Sequence, residues 1–152
     1  MTEARTIKVR TALSRQMSRP GGRSLADAER LADAALQTHR ADTFSELGRL
    51  VAELEAACAA RTDGDRTRAY ALAASLVDLA GFFDTGAFYD AAYSLCDLTD
   101  RTRERGLWSW DAVQVHVQTL RLLHLAGPGA PSPDAAALLA GLRRVVGSVL
   151  GD

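Results

Sequence analysis

Three histidines and two cysteines are the side chains in this sequence best suited to chemistry, and their spacing decides what they can do. His39, His116 and His124 include no pair four residues apart with a carboxylate between them, the arrangement that presents two imidazoles to one metal ion from a helix face. His116 and His124, eight apart, would be separated by about 80° around a helix and roughly 12 Å along it. Cys58 and Cys96 each fall on an apolar helical face, so they read as buried free thiols in a reducing compartment. No G-x-S-x-G, C-x-x-C or phosphate-binding glycine loop is present. Catalytic residues, metal ligands and cofactor-binding residues are therefore all expected to be none. His116, beside Val113, Val117 and Leu120, reads as a half-buried structural histidine, with a phosphoryl acceptor as the alternative.

Binding chemistry has better material. Trp, Tyr and Arg contribute disproportionately to protein interfaces, and Arg101, Arg103, Arg105, Trp108 and Trp110 crowd into one short stretch. These five residues are the expected partner contacts. The other aromatics gather upstream at Tyr70, Phe82, Phe83, Phe88, Tyr89 and Tyr93, with Phe44 apart. In an antiparallel bundle they would close the two poles of a core.

The elements that must position these groups are helices throughout. Ser24, with Asp27 in the capping-box position, opens a helix expected over Leu25 to about Arg40. Its apolar set is Leu25, Ala28, Leu31, Ala32, Ala35 and Leu36. Asp42 or Thr43 is expected to open a second helix, ending at the polar run Arg61–Asp65. A third is expected from about Arg66 to Phe82, and a fourth from about Ala87 to Arg105, stopped by Gly106. Ser109 caps a fifth reaching Ala126. After a 127–133 linker, Ser132-Pro133 opens the last, to Leu150. No period-two strand pattern competes. The fold class is all-α: a four-helix bundle core, its helices starting near 42, 66, 87 and 109, with additional N- and C-terminal helices.

The 152 residues suit one domain, expected over 24–152 behind a basic N-terminal arm of residues 1–23. That arm carries Arg5, Lys8, Arg10, Arg15, Arg19 and Arg23 against Glu3 alone, while the whole chain has a net charge of −1. It has no interleaved aromatic for base stacking, so nucleic acid is not an expected partner. No 18-residue apolar run spans a membrane, and no signal-peptide core follows the basic residues. A cytoplasmic protein is the expectation; the oligomeric state stays open.

Two resemblances add to this. The stretch Ala73-Ala74-Ser75-Leu76-Val77-Asp78 resembles the A-H-x-L-K-G motif of histidine phosphotransfer domains, with Ala74 in place of the histidine, Val77 of the lysine and Asp78 of the glycine. The resemblance implies a bundle that cannot take a phosphoryl group there. More widely, the stretches Ser18–Ala28, Ala91–Leu98 (AAYSLCDL) and Ala112–Leu123 (AVQVHVQTLRLL) resemble CheE-type accessory proteins of alphaproteobacterial chemotaxis clusters, over about residues 10–125. That implies a non-enzymatic role tuning chemotaxis or two-component signalling, through a partner such as a receiver domain or histidine kinase. A phosphotransfer protein using His116 and a structural or dimerising helical module are the alternatives.

Overall fold

The computed structural model describes residues 24–127 and 134–151. The expected N-terminal arm and the Ser132-Pro133 cap lie outside these residues. The chain divides into two units, Met1–Thr38 and His39–Asp152, and the boundary falls within a helix. Five helices are described: α1 (Leu25–Ala60), α2 (Asp63–Ala80), α3 (Ala87–Arg105), α4 (Trp110–Ala126) and α5 (Ala135–Leu150). The all-α expectation, a bundle with extra helices, holds.

One expected boundary does not exist. The helix break at Arg40–Thr43 is absent, and α1 runs unbroken for 36 residues. Asp42 and Thr43 favour caps but do not force them, and no proline or glycine stands there to stop propagation. At the start of α1 the capping box is present: the Ser24 hydroxyl accepts from the Asp27 N–H at 3.1 Å, and the Ser24 N–H donates to the Asp27 carboxylate at 3.3 Å.

The other ends follow local signals. Thr62 caps α2 through a second capping box with Asp65, so this helix starts three residues before the expected Arg66. The polar run Arg61–Asp65 is therefore mostly the first turn of α2 and not a loop. Gly106 closes α3 in the left-handed region at φ 67°, where a side chain would be strained. The Ser109 hydroxyl caps α4.

Within the unit from His39 onward, α3 packs against α2, α4 and α5, and α5 also lies along α4. One continuous core collects Leu47, Leu54, Leu76, Leu95, Leu98 and Leu120, each at most 1% exposed. Alanines 69, 73, 91 and 92 are fully buried between them and let the helix backbones approach. Ala74 is half-buried beside Ala73 on α2.

Candidate functional site

The arginine–tryptophan segment forms the turn between α3 and α4. Arg101 pairs with Asp97 at 3.4 Å, one turn earlier on α3. The Arg103 guanidinium lies 4.5 Å from the centre of the Tyr70 ring of α2 and 3.5 Å from Asp100. Arg105 donates to the Leu150 carbonyl at the end of α5 at 3.3 Å. The two indoles meet edge to face with centroids 5.2 Å apart, half-buried against the core. Neither indole N–H meets an acceptor among the described residues. The structure thus brings the five predicted residues to one end of the bundle. Arg103 and Arg105 fasten α3 to α2 and α5 there, and the tryptophans close the core.

Phe44, which stands apart in the sequence, belongs to the opposite pole. It stacks on His124 at 4.1 Å between ring centroids and 18° between planes, with Phe88 6.3 Å from the same imidazole. Arg40 covers the Phe83 ring nearby at 5.8 Å. Gly48 makes this close approach of α1 to α4 possible, since a Cβ there would stand 2.7 Å from His124 Nε2.

His116 is fully buried, more so than its sequence setting implies. Its Nδ1 lies 2.8 Å from the Ala112 carbonyl oxygen, which can only accept, so Nδ1 carries the proton. Nε2 is then an acceptor, and the Ser94 hydroxyl donates to it at 3.0 Å. Both ring nitrogens are engaged, which counts against the phosphoryl-acceptor alternative. Burial holds this imidazole below its ordinary value of 6.5, and it does the same to His124. His39 is exposed on α1. Among the described residues no three metal-ligating side chains converge.

These two imidazoles give a pH dependence with a definite sign. Below pH 6.5 the unfolded chain takes up protons that the folded chain refuses, so their stabilisation is complete above that value and is lost as pH falls beneath it. The slope His116 alone can impose is at most about 1.4 kcal/mol per pH unit. Asp27, Asp65 and Glu46 act at lower pH. Hydrogen bonds from Ser24, Thr62 and Arg49 respectively hold their carboxyls below the usual range. Urea unfolding at neutral pH and at about pH 5.5 checks this: the midpoint should fall at the lower pH, and a constant or rising midpoint would refute it.

An open groove of about 670 Å³ runs beside α1 and α4, with Glu55, Cys58, Arg61, Gln114 and Arg121 in its lining. Its charges compensate one another: Arg61 pairs with Asp111 at 2.9 Å and Arg121 with Glu55 at 3.0 Å. Burial pushes the Cys58 thiol up to about 11, so it remains protonated and unreactive at neutral pH. Cys58 and Cys96 are both free.

The first half of α1 carries a feature that periodicity alone did not rank. Its apolar set has helical spacing and lies ahead of the expected bundle core, and Leu25, Leu31 and Leu36 of that set are 77%, 52% and 57% exposed. Together with Ala28, Ala32 and Ala35 they occupy an arc of about 140°. Asp27, Glu29, Asp33 and Asp42 outnumber Arg30 and Arg40 on the same span. Periodicity identified the stripe; it carried no information about what would cover it. No protein-family model, curated protein or solved structure matches the chain.

Proposed function

We propose that the chain is a non-enzymatic signalling accessory protein of the cytoplasm, which modulates chemotaxis or two-component signalling by binding another protein. The exposed leucine stripe on α1 is the observation that carries this reading. An amphipathic helix face of this width ordinarily faces a partner. The acidic residues beside it call for a partner helix with an apolar stripe and basic flanks. A histidine kinase that offers such a helix is the first candidate, and a receiver domain the second. The turn at Arg101–Trp110 ranks below the stripe because Arg103 and Arg105 already join helices within the bundle.

The double substitution Leu31→Glu/Leu36→Glu tests the proposal. Titration with purified kinase and receiver proteins from neighbouring genes should show binding to one of them. The double variant should weaken that binding at least about 10-fold, the equivalent of about 1.4 kcal/mol, with helix content retained. Equal binding by the variant, or binding by neither protein, would overturn the assignment. Self-association lost in the variant, without partner binding, would identify the stripe as a dimer contact and favour the dimerising module.

A further inference from the structure

Helix-borne hydroxyls in this protein ordinarily turn back on their own helix. Thr38, Ser75, Thr99, Thr102 and Thr119 each donate to the carbonyl four residues earlier, at 2.6 to 3.1 Å. Ser94 does something else: its hydroxyl crosses from α3 to α4 and donates to His116 Nε2 at 3.0 Å. The proton on Nδ1 is fixed by the Ala112 carbonyl at 2.8 Å, which leaves the Nε2 lone pair aimed at the serine. This is the arrangement of a nucleophile, a base, and a third group that orients the base.

Ser94 also lies where a small molecule can reach it. It lines an open cavity of about 430 Å³ between α3 and α5, with Tyr93, Leu139 and Val146 as apolar walls. Asp90, Asp97 and Arg143 complete the lining. Two carboxylates against one guanidinium disfavour an anionic substrate. His116 itself is fully buried, so the cavity exposes the nucleophile and shields the base.

We propose that Ser94 is an activated nucleophile, with His116 as its general base, and that it accepts an acyl group from a small neutral ester. Ser94 Oγ attacks the carbonyl carbon as its proton passes to His116 Nε2. Collapse of the tetrahedral adduct breaks the bond to the alkoxide leaving group, which takes the proton from Nε2. The products are O-acyl Ser94 and an alcohol, and the imidazole is neutral again. A single such transfer modifies the binding protein without making it a turnover enzyme. The inference stands on the serine–histidine contact and the cavity, independently of the partner assigned to α1.

Treatment of the full-length protein with a neutral fluorophosphonate, and separately with p-nitrophenyl acetate, followed by peptide mass mapping, tests this. One adduct on Ser94 is expected, well in excess of any on exposed Ser75, and absent from Ser94→Ala. His116→Gln should slow labelling at least about 100-fold, the usual contribution of a general base, with helix content and melting behaviour recorded alongside. Labelling of Ser94 no faster than Ser75, or a folded His116→Gln protein labelled at the wild-type rate, would overturn the proposal. Should His116→Gln fail to fold, the comparison of Ser94 with Ser75 and the Ser94→Ala control decide it, since alanine is well tolerated in a helix.

Discussion

Replacing Leu95 by alanine is expected to lower the free energy of unfolding by about 2–5 kcal/mol. Leu95 is fully buried on α3, the helix that packs against α2, α4 and α5. Its loss removes apolar contacts and leaves a cavity as well, and the two costs add when the surroundings cannot collapse. Collapse is restricted here because the neighbouring Ala91 and Ala92 are also fully buried and already bring the backbones close. Leu125→Ala is the internal comparison, because that leucine is 72% exposed on α4. Its effect should stay within about 0.5 kcal/mol. Urea unfolding followed by circular dichroism measures both, and a Leu95→Ala cost close to that of Leu125→Ala would contradict the central position of α3.

Gly48→Val should destabilise the protein by about 1–3 kcal/mol through overpacking. Helix propensity argues the other way, since glycine is worse than most residues inside a helix by up to about 1 kcal/mol. The contact wins because a Cβ at this position would stand 2.7 Å from His124 Nε2 and 3.1 Å from Cε1. Those atoms belong to a ring stacked on Phe44 and flanked by Phe88, so it cannot swing aside as an exposed chain would. The origin of the cost is separable by a double-mutant cycle. In a His124→Ala background the valine should be much less harmful, and strictly additive effects would show that the clash is not its cause.

The two predictions differ in how they could be reached. Leu95 belongs to a dense run of small and apolar residues that reads as core from the sequence alone. Gly48 does not, because its meaning depends on a histidine brought from a distant helix. The same division runs through the structure. Gly106 and Ser109 act within one turn of where they stand, so the α3 and α4 ends were legible. The continuity of α1 was not, since Asp42 and Thr43 are compatible with either a cap or a helix interior. Ser94 with His116, Arg103 with Tyr70 and Phe44 with His124 all arise from the relative register of packed helices. No local pattern encodes that register. The leucine stripe is intermediate: its period was visible, its exposure was not.

The position of the indoles has a practical consequence. The chain has two tryptophans, and both lie at the α3–α4 turn, in contact with each other. Tryptophan emission therefore reports on that end of the bundle alone and is blind to the Phe44–His124 end. Unfolding curves recorded by emission and by helix content should superimpose if the helices from His39 onward melt as one cooperative body. A curve that separates on mild acidification would reveal the end holding His124 and Phe44 loosening first, read against an optical signal anchored at the other.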